Sequence, residues 1–185
     1  MKYIEVEQKY VLTDPEALKA KLKGLDAVPG TATRQIDSYF NAPHRDFLEP
    51  QVISEWLRIR ESDRGASVNF KLWHPVDAVT KTHADEYETG VEDPEAIRLI
   101  LTALGFTPLV TVDKTREEWT VPGTVAVAFD TLADAGTFVE FEFKGEADGI
   151  DDAIEQLDGF IAGLDVPLGE RVARGYPHML LGRDH

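Results

Sequence analysis

Tyr3-Ile4-Glu5-Val6-Glu7-Gln8-Lys9-Tyr10 reads as a β-strand with two dissimilar faces. Successive side chains on a strand point to opposite sides. Glu5, Glu7 and Lys9 therefore share one face, while Ile4, Val6 and Tyr10 occupy the other. The apolar face needs a core, and the opposite face then presents two carboxylates and an ammonium in a row. Two carboxylates this close repel unless a cation lies between them. The same Glu-x-Glu-x-Lys spacing returns at Glu140-Phe141-Glu142-Phe143-Lys144, and a shorter form stands at Glu86-Tyr87-Glu88. One copy fits a solvated edge strand; three point to a metal-binding interior.

Other strands carry the opposite charge. In Trp56-Leu57-Arg58-Ile59-Arg60 the arginines share a face opposite Leu57 and Ile59, and in Val68-Asn69-Phe70-Lys71-Leu72 the lysine lies opposite Val68, Phe70 and Leu72. Lys114 and Arg116 repeat the pattern, and the apolar run Thr124 to Phe129 ends on Asp130. A sheet with one wet face accounts for any one of these strands. Together they segregate paired carboxylates from paired cations, and closing them into a barrel would bring both across a shared lumen. Carboxylates for a hard divalent metal, with Arg and Lys for phosphate oxygens, describe a site for a polyphosphate bound with metal.

Helices interrupt the strands. Thr13-Asp14-Pro15-Glu16-Ala17-Leu18 is a helix start: a capping residue, Pro in the first turn and Glu near the positive end of the dipole. The helix is expected to run to about Lys23 and stop at Gly24. Asp93-Pro94-Glu95-Ala96-Ile97 repeats that start, with Ile97, Ile100, Leu101 and Leu104 as an apolar stripe before Gly105. A third helix is expected near Ile150 to Leu164. Each Glu-x-Glu strand thus leads into a helix, which hints at an internal repeat of strand, helix and further strands.

The 185 residues, with no linker-like segment, predict one domain spanning 1–185. The absence of cysteine excludes disulfides and thiolate metal sites. No apolar signal region opens the sequence and no run approaches a membrane span, so a cytoplasmic location and no membrane partner are expected. A net charge of −15 argues against a nucleic-acid partner. The histidines at 44, 74, 83, 178 and 185 show no ligand spacing and read as surface or packing residues.

Glu5-x-Glu7-x-Lys9, Asp37-Ser38-Tyr39-Phe40, Leu57-Arg58-Ile59-Arg60, Phe70-Lys71, Glu86-x-Glu88, Lys114-x-Arg116, Asp130 and Phe138-Val139-Glu140-Phe141-Glu142 occur in the order seen in the CYTH domain. The sequence resembles that superfamily, the triphosphate tunnel metalloenzymes, from Glu5 to about Tyr176. The resemblance implies an α+β fold: a closed eight-stranded antiparallel β-barrel, a tunnel, with helices packed outside. It implies Mg²⁺ or Mn²⁺ on Glu5, Glu7, Glu140 and Glu142, with Asp130 as a helper and Glu86 and Glu88 at acidic positions for a second metal. Lys9, Arg58, Arg60, Lys71, Lys114 and Arg116 resemble the triphosphate-binding and catalytic cations. Arg174 joins the substrate-binding set, in a segment Val172–Pro177 where Gly175 replaces the family's Ser. Upstream of Glu86, where a basic residue is common, this sequence has Ala84-Asp85.

The implied chemistry is metal-dependent hydrolysis of a triphosphate, whether inorganic tripolyphosphate, a nucleoside triphosphate or thiamine triphosphate. The stretch Tyr39 to Phe47 looks more like the class IV adenylyl cyclases, which gives cyclisation of ATP as an alternative, and the cyclase-like members make a homodimer plausible. A non-catalytic polyphosphate or nucleotide binder is the third reading. Asp37 reads as a turn cap, Tyr39 as packing, and Trp56 and Trp73 as core or rim residues.

Overall fold

The alternating strands and the two similar helix starts reappear in the computed structural model, which describes residues 2–133 and 135–182. Chain order is β1 (Lys2–Glu5), β2 (Glu7–Val11), α1 (Pro15–Lys23), β3 (Val28–Pro29), β4 (Thr33–Asn41), β5 (Glu55–Ser62), β6 (Gly65–His74) and β7 (His83–Val91). There follow α2 (Pro94–Ala103), β8 (Thr107–Val121), β9 (Val125–Leu132), β10 (Gly136–Phe143), α3 (Ile150–Gly163) and α4 (Tyr176–Leu180). The class is α+β and the registered strand pairs are antiparallel.

The strands number ten among the described residues, against the eight expected. One addition is the short β3, paired with β8 through Val28 and Pro29. Another comes from Tyr3–Tyr10, which is two strands. The break falls at Val6, whose side chain is buried in a core cluster while its carbonyl accepts from the backbone N–H of Phe143 at 2.9 Å.

Both helix starts form as their caps dictate. Asp14 and Asp93 each accept a hydrogen bond from the backbone N–H three residues on, Ala17 at 3.0 Å and Ala96 at 2.9 Å, and Pro follows each cap. A short polar cap satisfies a first-turn N–H that has no helical partner, and Pro loses nothing there because its N–H would be unpaired anyway.

Two compact units result, each gathered from separate stretches. The first holds the described residues up to Ile4, Arg34–Asp113, and those from Arg174 on; the second holds Glu5–Thr33 and Lys114–Ala173. Strand order is β7-β6-β5-β4 in the first and β2-β10-β9-β8 in the second. Each unit therefore joins a three-strand meander, β4-β5-β6 or β8-β9-β10, to a strand that leads into an Asp-Pro-Glu-Ala helix, β7 before α2 or β2 before α1. That arrangement gives the hinted repeat a physical form: strand, helix, meander, written twice, with each unit combining one copy's meander and the other's strand and helix.

In the second unit the sheet's apolar face supplies the core. Val127, Val139 and Phe141 are fully buried, together with Leu18 and Leu22 of α1 and Leu157 of α3. Phe141 meets Tyr10 and Phe160 edge-on, with centroids 6.1 and 6.4 Å away. In the first unit α2 buries none of its residues fully. Ile97 and Leu101 are half-buried, but Ile100 and Leu104, expected in the apolar stripe, are exposed, as is Leu99. Among the described residues no helix is long and apolar enough to cross a membrane.

Candidate functional site

Register determines which charges meet. Residues directly opposite in an antiparallel pair lie on the same face, and in the first unit this builds three rows. Asp37, Arg60 and Ser67 form one; Tyr39, Arg58, Asn69 and Glu88 the next; Trp56, Lys71 and Glu86 the third. Arg60 grips Asp37 with both Nε and Nη2 at 2.6 Å, and Arg58 Nη1 reaches the same carboxylate at 3.5 Å. Asn69 donates to Glu86 Oε1 at 2.6 Å, Lys71 Nζ lies 3.6 Å from the same oxygen, and Ser67 donates to Glu88 at 2.8 Å. The Lys71 ammonium also sits 5.1 Å from the centre of the Trp73 ring, within cation–π range.

Burial raises the electrostatic stakes of this face. Asp37 is 1 % exposed, and Asn69 is also buried. Burial alone would lower the Arg58 pKa, but the Asp37 charge together with Tyr39 and Glu88 outweighs it and holds the guanidinium more firmly protonated than usual. Arg58 Nε is a buried donor with no hydrogen-bond partner among the described residues. A buried donor left unpaired is costly, and an anionic ligand would satisfy it. Burial raises the Tyr39 pKa, so its phenol stays neutral.

The second unit repeats the theme on β2, β10, β9 and β8. Lys9 stands opposite Glu140 and pairs with it at 3.1 Å. Arg116 stands opposite Asp130, donating from Nε at 2.7 Å and from Nη2 at 2.5 Å, and Lys114 Nζ reaches the same carboxylate at 3.1 Å. Arg116 also contacts Glu140. Burial would raise the Asp130 pKa, but the charges of Arg116 and Lys114 prevail and hold it below the usual carboxylate range. Glu7 lies directly opposite Glu142, which accepts from Lys144 at 2.5 Å. Glu5 is buried at the end of β1.

The model of the CYTH domain family matches residues 3–176. The chain belongs to the CYTH domain family. A Methanocaldococcus jannaschii protein named "Putative adenylate cyclase MJ0240" is 29% identical over 174 residues, 94% of this chain and 96% of its own. The PH1819 protein of Pyrococcus horikoshii OT3 has the same fold, with 27% identity, a TM-score of 0.76, and coverage of 96% of this chain and 98% of its own. The HpAC1 protein of Hippeastrum, called an adenylyl cyclase candidate, shares the fold at 18% identity with a TM-score of 0.63, covering 99% and 97%.

Within this CYTH chain the expected cations separate into two sets, Arg58, Arg60 and Lys71 in the first unit and Lys9, Lys114 and Arg116 in the second. Each set occupies one face of its sheet. Arg174 lies apart from both rows in sequence and is exposed, just before α4. Among the expected carboxylates, Glu86 is half-buried and Glu88 exposed. Among the described residues no three acidic or histidine side chains converge on one metal position.

Sequence reasoning undervalued four residues. Asp37 anchors both arginines of β5, Asn69 bridges to Glu86, and Tyr39 stands directly opposite Arg58. Glu118 shares a face with Glu140, since both stand opposite Ala128. Asp37 read as a turn cap and Tyr39 as packing; only register reveals these cross-strand neighbours. The stretch that resembles the cyclases is divided between the faces: Tyr39 stands beside Arg58, whereas Phe47 tilts against Phe70, on the face of β6 opposite Lys71, and Arg45 pairs with Glu55 at 2.5 Å. His74 and His83 stack on that same opposite face, centroids 5.0 Å apart.

Proposed function

We propose that this CYTH protein is a divalent-metal-dependent enzyme that binds a triphosphate and hydrolyses its terminal phosphate. The observation that carries the reading is the register pairing of Glu7 with Glu142 on the same sheet face as Lys9, Lys114 and Arg116, whose charges meet the buried carboxylates Glu140 and Asp130. A lone structural salt bridge needs no such array; a polyanion with a hard cation does.

Glu7 and Glu142, in register on β2 and β10, would offer oxygen donors to Mg²⁺ or Mn²⁺, with Glu5 assigned to the site by the family pattern; because no third carboxylate converges on that pair among the described residues, water and phosphate oxygens would complete the shell. Once bound, the metal supplies charge neutralisation and orientation of the phosphate oxygens. Glu86 and Glu88, paired with Lys71, Asn69 and Ser67, are the candidates for a second ion. Glu140 and Asp130 are more fully engaged by Lys9, Lys114 and Arg116.

Lys9, Arg58, Arg60, Lys71, Lys114 and Arg116 bind the chain of phosphates and neutralise charge as it builds on the leaving group. Water attacks the terminal phosphorus, the bond to the bridging oxygen breaks, and orthophosphate and the diphosphate product separate. The basic tunnel and the reading of residues 1–185 as one CYTH domain belong to this proposal. The family match supports the latter, because residues 3–176 draw on both units.

Hydrolysis stands ahead of cyclisation because Arg45 and Phe47, in the later part of the cyclase-like stretch, pack on the sheet face opposite the cations, while Tyr39 at its start stands among them. HpAC1, described as having a dominant triphosphatase activity, shows that a cyclase name and hydrolysis occur together on this fold. The name of the M. jannaschii relative keeps ATP cyclisation as the second reading. Phosphorus NMR of the protein with Mg²⁺ and, separately, tripolyphosphate, ATP and thiamine triphosphate distinguishes them. Orthophosphate is expected; pyrophosphate with cyclic AMP would establish the cyclase, and binding without turnover would establish a sensor.

A further inference from the structure

Asp37 and Asp130 hold their neighbours in the same way, although they lie in different units and on strands of opposite role in the repeat. Each stands directly opposite an arginine, Arg60 or Arg116. Each receives a two-pronged grip from it, at 2.6 and 2.6 Å for Asp37 and at 2.7 and 2.5 Å for Asp130. Each also meets the cation two residues earlier on the arginine's strand, Arg58 at 3.5 Å or Lys114 at 3.1 Å. Both carboxylates are buried, 1 % and 0 % exposed.

Two cations at i and i+2 on one strand face repel, and the repulsion is strong where water is scarce. A shared carboxylate removes it and fixes both side chains. The grip uses Nε and Nη2 of the arginine, so the carboxylate holds the planar fork along one edge and fixes its orientation. A carboxylate offers roughly four lone-pair positions. Three cationic donors already surround each of these two, which makes either a poor metal ligand.

We propose that Asp37 and Asp130 are matched positioning residues, each aligning an i,i+2 cation pair toward phosphate oxygens, and that Asp130 acts in this way rather than as a metal helper. The purpose of the clamp rests on the triphosphate reading; its geometry does not.

The test compares Asp37→Asn and Asp130→Asn with the wild-type full chain. Three quantities are measured: the arginine Nε–H signals by ¹⁵N NMR, Mn²⁺ affinity by electron paramagnetic resonance, and kcat and KM for tripolyphosphate. Each variant is expected to lose the protected Nε–H signal of its own arginine, and to keep Mn²⁺ affinity within about twofold. Its kcat is expected to fall about 10²-fold, while KM changes little or drops because a negative charge beside the substrate has gone. Retention of both Nε–H signals would overturn the clamp, and a loss of Mn²⁺ affinity of about tenfold or more in Asp130→Asn would make that residue a metal ligand. If the wild type turns over no triphosphate, the functional reading fails while the Nε–H signals still decide the clamp. Should an Asn variant not fold, Arg60→Lys and Arg116→Lys keep the charge but remove the fork. The same kcat loss at constant Mn²⁺ affinity is then expected, and full kcat in both would overturn the proposal.

Discussion

Glu142 of β10 stands directly opposite Glu7 of β2, so two carboxylates that are distant in sequence face one another across a single strand pair. Like charges opposite each other in a sheet destabilise it unless something bridges them. Glu7→Gln is expected to weaken Mn²⁺ binding at least tenfold, roughly the scale of losing one of very few protein ligands, and to stabilise the protein slightly in metal-free buffer. Spin resonance of Mn²⁺ and thermal unfolding in a chelator check both halves. Unchanged Mn²⁺ affinity would remove this pair from the metal site.

Arg58 combines a firmly held charge with a buried Nε that has no hydrogen-bond partner among the described residues. Arg58→Ala is expected to lower kcat/KM for tripolyphosphate by about 10²- to 10³-fold, as for other preorganised charge contacts. Arg58→Lys should recover only part of this, because a point charge cannot replace the fork. Steady-state kinetics at saturating Mg²⁺ give the comparison, and full recovery by lysine would show that geometry does not matter there.

Acid stability should depend on Asp130. Its folded pKa lies below the ordinary value of about 3.9 because Arg116 and Lys114 outweigh burial. In the unfolded chain the group takes up a proton first as pH falls. Its stabilising contribution is therefore complete above the unfolded pKa and is lost as pH drops below about 4 toward the folded pKa. Urea titrations between pH 6 and 3 should show a shallower loss in Asp130→Asn than in the wild type. Equal slopes would mean that other carboxylates carry the acid transition.

Core and surface helices should respond very differently to truncation. Phe141 is fully buried between Tyr10 and Phe160, and Phe141→Ala is expected to cost about 3–5 kcal/mol. Leu104 is 63 % exposed at the end of α2, so Leu104→Ser should change stability by only about 0.5 kcal/mol. Chemical denaturation of the two variants tests the contrast.

That contrast also marks where the sequence was readable. The helix starts at Asp14-Pro15 and Asp93-Pro94 could be placed because a cap and its N–H partner lie within three residues. The charged faces of β2, β5, β8 and β10 were legible for a similar reason, since alternation is local. Neighbours across strands were not. Asp37 looked like a turn cap because nothing near it in sequence announces Arg60, 23 residues away. Helical periodicity found the apolar stripe of α2 but could not say that Ile100 and Leu104 would remain outside. The break at Val6 was hidden for another reason: an unbroken alternation in sequence does not record that β1 and β2 belong to different strand pairings.

The central claim is a metal-dependent reaction on a triphosphate, and the most direct measurement is the initial rate of orthophosphate release from tripolyphosphate. It should be taken with Mg²⁺, with chelator, and with Glu7→Gln in parallel. The expected result is steady release by the wild type that disappears with chelator and falls by about 10²-fold or more in the variant. Release that persists in chelator, or that Glu7→Gln matches, would contradict the account.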